Sequence, residues 1–327
     1  MRVVTLSCLT TASTTIVDRL RSGDAHALAR AISTVENRAA GWSDLLKAIF
    51  PHTGKARIIG LTGAPGSGKS TLVDQLAKHY RKKQQTVGII AVDPTSPYTG
   101  GAILGDRIRM QDHFSDPGIY IRSMATRGSL GGLARATADA ATVLDASGRD
   151  LVMIETVGVG QDEVDIVRLA DVTIVILVPG MGDDVQTIKA GIMEIADIFV
   201  INKGDREGAE SVEREIRAMQ SLATGTRNDR WTPPIIKTVA SEGVGTEALA
   251  EAIADYEAYL KKENLVFKKN VENWQERLVE MLRDAMLEKV RAQIDGGSLE
   301  RYAAEIAEHK RDPYSLVEEI VRGAERN

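Results

Sequence analysis

Gly63-Ala64-Pro65-Gly66-Ser67-Gly68-Lys69-Ser70 fits the pattern GxxxxGK[ST] at every specified position, and Thr71 follows. Glycines at this spacing let the backbone curl so that successive N–H groups converge on phosphate oxygens, reinforced by the positive end of the next helix. Lys69 is placed to reach the β- and γ-phosphates of a nucleotide, and Ser70 to set its hydroxyl on Mg²⁺. The flanks agree. The apolar run Ile58–Thr62 leads in as a strand, and Leu72, Val73, Leu76, Ala77 and Tyr80 make one helix face immediately after. A glycine-rich turn that merely capped a helix would need neither flank.

A second constellation, Asn202-Lys203-Gly204-Asp205, directly follows the apolar run Ile198–Val200 and matches NKxD. The Asp205 carboxylate can accept from both N1–H and the exocyclic amine of guanine. Adenine's unprotonated N1 would face it unpaired, at a typical cost of about 1–3 kcal/mol. The pair of motifs, in this order, selects guanine. A supporting loop of Ser-Ala-x type is expected after the next strand, with its alanine N–H meeting guanine O6. The chain reads Val239-Ala240-Ser241, so Ala240 fits while Val239 stands where the serine belongs.

Metal and water are assigned from the ends of other runs. Leu151–Ile154 is a buried-strand run ending in Glu155-Thr156-Val157-Gly158. Glu155 can hold Mg²⁺ or its water, and the Gly158 N–H can meet the γ-phosphate. Asp93 ends the run Val87–Val92, and strand C-terminal ends face the site in open α/β sheets. Asp106 is the other candidate metal ligand, with a helix cap as its alternative role. Many GTPases place a glutamine directly after the glycine equivalent to Gly158. Here Val159 occupies that position and Gln161 is the nearest substitute, so slow intrinsic hydrolysis completed by a partner is expected. The acidic, glycine-rich loop Pro179–Gln186, containing Asp183 and Asp184, follows another strand. It is either part of the nucleotide site or an ordinary strand–helix connection, and Lys189 beyond it either meets phosphates or decorates a helix.

These residues need a scaffold that brings several strand ends together. The runs Ile58–Thr62, Val87–Val92, Ile119–Ile121, Leu151–Glu155, Val172–Val178, Ile198–Asn202 and Ile235–Val239 are β-branched and lack in/out alternation, as in parallel strands covered on both faces. Helical segments between them imply an α/β fold with a doubly wound, mostly parallel sheet over residues 56–260. A helical extension precedes it (residues 1–55), in which Asp24 can cap a helix carrying Leu28, Ala31, Ile32 and Val35 on one face. Residues 261–327 contain no strand-like run. There Trp274, Leu278, Met281, Leu282, Ala285 and Met286 form an apolar stripe that must fold back on its own chain or pair with a second copy.

Composition narrows the function class. The formal net charge of −5 and the lack of a concentrated basic block argue against nucleic acid and anionic membrane as partners. The single cysteine, Cys8, excludes an intramolecular disulfide. No apolar run reaches the roughly 18–20 residues needed to cross a bilayer. Met1–Ile16 is rich in Ser and Thr without acids, but Arg2 is its only base, so a cytoplasmic chain is expected over one with a transit peptide. His26, His52, His79, His113 and His309 are scattered, which speaks against a metal-delivery protein for nickel or zinc enzymes and against a cobalamin ligand in this chain.

Glu155 in place of the more common aspartate, with Asp93-Pro94 after the second run, resembles the metallocentre-assembly (SIMIBI) class of P-loop GTPases. Within it, VDPTSPYTGGAILGDRIRM (Val92–Met110), ETVGVGQDEVD (Glu155–Asp165) and PGMGDDVQTIKAGIMEIAD (Pro179–Asp197) resemble the MeaB/ArgK/MMAA family. GDAHALARAISTVE (Gly23–Glu36) and the DPYS at Asp312–Ser315 extend the likeness to nearly the whole chain. The resemblance implies a GTPase chaperone of an adenosylcobalamin-dependent acyl-CoA mutase, with methylmalonyl-CoA mutase the typical partner and an adenosyltransferase a further one. It also implies a homodimer through the C-terminal helices. Phosphate and metal duties would fall on Lys69, Ser70, Asp93, Asp106 and Glu155, and the Pro179–Lys189 loop would couple the nucleotide to the mutase.

Overall fold

A computed structural model describes residues 16–93, 116–125, 132–156, 169–180, 195–223, 231–294 and 296–325. The chain divides into two compact units, the first running to Glu263 and the second starting at Asn264.

The first unit is built on a seven-stranded sheet: β1 (Arg57–Gly63), β2 (Val87–Asp93), β3 (Ile119–Ala125), β4 (Leu151–Thr156), β5 (Val172–Leu177), β6 (Ile198–Asn202) and β7 (Ile235–Thr238). Its spatial order is β3-β2-β4-β1-β5-β6-β7, and every described pairing is parallel. Each apolar run read from the sequence is one of these strands. β4, β5 and β6 are buried along their whole length, which is why their residues do not alternate in polarity.

The helices of this unit include α1 (Ala25–Glu36), α2 (Trp42–Ile49), α3 (Lys69–Lys82), α4 (Gly132–Ala146), α5 (Ala209–Ala223) and α6 (Thr246–Lys262). Ile90, Val92, Val152 and Ile154 on one sheet face share a core with α4, and behind it with α1 and α2. On the same face, Val175, Leu177, Phe199 and Ile201 pack with Val212 and Ile216 of α5. Helices α3 and α6 pack against each other and against the central strands on the opposite face. The N-terminal helices are therefore part of this core: Ala31, Ile32 and Ile49 are fully buried. Asp24 caps α1, its carboxylate accepting from His26 N at 2.9 Å and Ala27 N at 3.0 Å. Arg122 of β3 pairs with Glu36 at the other end of α1.

The chain enters β1 through a bend held by a single carboxylate. Asp145, at the end of α4, accepts from Gly54 N (2.5 Å), Lys55 N (3.1 Å) and Ala56 N (2.8 Å). This fixes the strand that feeds the phosphate loop.

The second unit comprises α7 (Leu265–Gln293), α8 (Gly296–Ala307) and α9 (Pro313–Glu325), with α7 and α9 in contact. Leu316 of α9 is buried, whereas Phe267, Leu278, Val279, Leu282 and Met286 of α7 are exposed. Asp312 opens α9 by accepting from Ser315 N at 2.8 Å. Among the described residues no helix is long and apolar enough to cross a membrane.

Candidate functional site

The site forms where β1, β4, β6 and β7 end on one edge of the sheet. β1 runs into the phosphate loop, and two of its glycines are there for steric reasons. At Gly63 (φ +149) a Cβ would run into the Ile176 carbonyl of neighbouring β5, and at Gly68 (φ +91) into Asn202 Nδ2. Both backbones sit in a region that L side chains rarely adopt. Helix α3 starts at Lys69 directly after, so its free N–H groups face the loop.

Lys69 is buried, with its ammonium held across the loop by Gly63 O at 2.6 Å and Ala64 O at 3.0 Å. Ser70 Oγ donates to Glu155 Oε1 at 2.5 Å. Glu155 is itself buried at the end of β4, and beside it Thr156 Oγ1 donates to Thr62 Oγ1 at 3.1 Å, tying β4 to β1 beneath the loop. A hydroxyl and a carboxylate side by side, both hard oxygen donors, suit Mg²⁺. Such an ion would neutralise charge on the β- and γ-phosphate oxygens. The structure thus sets Ser70, one residue beyond Lys69 at the start of α3, against Glu155. Pro65, Gly66 and Thr71 are exposed and Ser67 is buried.

The base-reading side is joined to the phosphate loop through Asn202, which is buried at the end of β6. Its Nδ2 donates to Ser67 O at 2.7 Å. Its Oδ1 accepts from Thr238 Oγ1 and from Ala240 N, both at 3.1 Å. One amide therefore holds three segments: the phosphate loop, the end of β7 and the 3₁₀ turn Ala240–Glu242. Lys203 (φ +56) lays its ammonium on Gly66 O at 2.9 Å, and Gly204 N donates to Thr238 O at 2.9 Å. Asp205 follows, exposed at the mouth. In this arrangement the Ala240 N–H serves the frame around Asn202, a role the sequence reading did not give it.

Asp93 ends β2 on the same edge, its backbone in register with Ala125 of β3. Its side chain lies outside the described residues, as do Asp106, Gly158, Gln161, Asp183, Asp184 and Lys189. Sequence reasoning missed Thr238, Thr62 and Thr156. Each stands at or beside the C-terminal end of a strand, the same positional signal that singled out Asp93.

The fold and this edge define a P-loop nucleotide-binding protein with a guanine-type NKxD loop. Residues 28–295 match the family described as methylmalonyl-CoA mutase-associated GTPase MeaB. The chain belongs to that family. A Pyrococcus abyssi protein designated a GTPase is 48% identical over 308 residues, covering 94% of this chain and 95% of its own. A fused isobutyryl-CoA mutase of Geobacillus kaustophilus is 33% identical over 323 residues, which are 95% of this chain but 28% of that longer one. The crystal structure of an LAO/AO transport system kinase superposes with a TM-score of 0.70 at 27% identity, covering 99% of this chain and 100% of its own.

Proposed function

We propose that the chain binds and hydrolyses GTP with Mg²⁺ and uses that cycle as a chaperone of an adenosylcobalamin-dependent acyl-CoA mutase. The observation that carries the nucleotide half is Asn202, whose amide joins the phosphate loop to the segments flanking Asp205. Binding of phosphates and reading of the base then occur on one rigid frame.

In this reading Lys69 turns from its loop carbonyls to the β- and γ-phosphates. Ser70 and Glu155 hold the metal, joined by Asp93 and Asp106. The N–H groups of residues 63–70 and of Gly158 bind phosphate oxygens, and Asp205 takes the N1–H and amine of guanine. Ala240 contributes by fixing Asn202. Gln161 orients the attacking water, and hydrolysis is slow until a partner completes the site. GTP holds the segments 93–110 and 155–161 closed, and hydrolysis releases them.

The mutase half is supported by the family's description and by the fused relative, in which a homologous region and an isobutyryl-CoA mutase share one polypeptide. Domains that act together are the ones a single chain can usefully join, because linkage raises their effective concentration. The exposed apolar residues of α7 suit a homodimer through residues 261–327. The partner mutase, rather than this chain, holds the cobalamin, in a cytoplasmic setting.

The test is association of the purified chain with methylmalonyl-CoA and isobutyryl-CoA mutases in GDP and in a non-hydrolysable GTP analogue. A nucleotide-dependent complex that Lys69→Ala uncouples is expected. Indifference of both mutases, with GTP bound normally, would reject the chaperone role and leave the nucleotide reading intact.

A further inference from the structure

The segment that carries Asp205 is fastened to β7 at two places. Near its start, Gly204 N donates to Thr238 O at 2.9 Å, and a Cβ on Gly204 would stand 3.4 Å from the Cβ of Lys237. At its far end α5 begins, and the side chain of Lys237 reaches across to that helix. Its Nζ lies 2.5 Å from Glu210 Oε1 and 2.8 Å from Glu213 Oε2. Glu213 in turn accepts from Arg217 Nη2 at 2.7 Å and from Arg217 Nε at 2.9 Å. The result is a linked set of alternating charges, a geometry in which surface pairs contribute more than isolated ones. The charges stand at neutral pH. Lys237 and then Arg217 hold the Glu213 carboxyl below its usual range, while Glu210 and then Glu213 hold the Lys237 ammonium above its own. Asp205 sits between the two fastenings, exposed and four residues ahead of Ala209, the first residue of α5.

We propose that Lys237 is a specificity-determining positioning residue. By pairing with Glu210 and Glu213 it fixes α5 against β7, and so sets where the Asp205 carboxylate stands relative to the N1–H and 2-amino edge of guanine. The inference rests on the guanine-reading proposal above. Lys237 touches no base; it acts through the loop. Two parallel hydrogen bonds to one carboxylate demand a tighter placement than one, so a loosened loop forfeits the bond to the 2-amino group first.

Inosine diphosphate lacks that amino group and keeps N1–H, so the ratio of GDP to IDP affinity reads this contact alone. For the wild type the ratio is expected to be about tenfold or more. Lys237→Met keeps an unbranched stem one atom shorter and removes the charge. It is expected to lower the ratio about three- to fivefold while leaving IDP affinity near wild type. Lys237→Arg is expected to retain the ratio, and the double variant Glu210→Gln/Glu213→Gln to reproduce the loss from the other side. Raising salt should shrink the wild-type ratio and leave that of Lys237→Met unchanged. Equal weakening of GDP and IDP, or an unaltered ratio in both the lysine and the glutamate variants with native melting curves, would overturn the inference. A wild-type protein that took ADP as readily as GDP would instead refute the guanine reading itself.

Discussion

Replacing Asn202 with aspartate isolates one bond of the frame. The two side chains have nearly the same shape, so Oδ1 still accepts from Thr238 Oγ1 and Ala240 N at 3.1 Å. What changes is Nδ2, which donates to Ser67 O at 2.7 Å and becomes an oxygen facing an oxygen. Asn202 is only 3% exposed, so water does not readily replace the lost donor. Leaving a buried acceptor unsatisfied costs about 1–3 kcal/mol, and more where the new group carries charge. At 1.4 kcal/mol per decade, that is about 5- to 150-fold in any equilibrium that requires the loop to keep its shape. Calorimetry with GDP and Mg²⁺ reads it directly, and denaturant unfolding of the protein without nucleotide reads the same loss. The further variant Asn202→Ala, which orphans Thr238 Oγ1 and Ala240 N as well but introduces no charge, is expected to lose affinity and stability in both assays. If Asn202→Asp bound GDP with wild-type affinity and unfolded at the wild-type denaturant concentration, the idea that this amide joins the two halves of the site would be wrong.

Glu155→Gln keeps an oxygen to accept from Ser70 Oγ but removes the charge beside it. The Mg²⁺ concentration needed for tight GTP binding is expected to rise about tenfold, as followed by a fluorescent nucleotide, and an unmoved Mg²⁺ midpoint would count against Glu155 as a ligand. His79, on α3, has a buried Nε2 with no hydrogen-bond partner among the described residues. Burial, then Lys83, pulls its pKa below the ordinary 6.5, with Lys82 adding and Glu247 and Glu251 opposing. The unfolded chain therefore takes up this proton first, and stability present above about pH 6.5 is lost as pH falls below it. Thermal melts at pH 7.5 and 5.5 are expected to differ more for the wild type than for His79→Gln, and equal differences would reject this assignment.

The strands and the phosphate loop were legible because each is a local pattern. Val172–Leu177 must be buried on both faces whatever its neighbours are, and Gly63 to Ser70 carry their spacing in one stretch. The start of α1 was legible for the same reason, since Asp24 caps it within three residues. What the residues could not disclose is adjacency. Leu28, Ala31, Ile32 and Val35 announce one apolar face, but a period of 3.6 says nothing of what covers it. The answer is α4, whose Ala136, Ala140 and Ala141 are small enough to let α1 approach and share a core with the sheet. An extension by sequence is thereby part of the nucleotide-binding unit by packing.

The same limit applies inside the site. Asn202 was chosen as a member of NKxD, yet its two acceptor bonds go to residues 36 and 38 positions away, and its donor bond spans 135. Thr238 and Lys237 carry no motif of their own; their roles exist only because β7 lies beside β6. Strand order decides which side chains meet. β6 is separated from β1 by β5 alone, so the NKxD loop lands on the phosphate loop, whereas β2 is separated from β1 by β4 and delivers Asp93 one strand beyond Glu155. The Ser70 hydroxyl thus meets Glu155 at 2.5 Å, whereas β2 and the backbone of Asp93 end one strand farther along the edge. That ordering sets Glu155 on the strand next to β1, beside the phosphate loop, and Asp93 one strand beyond it. The Glu155 side chain spans from the end of β4 to the first turn of α3, where Ser70 Oγ donates to Oε1.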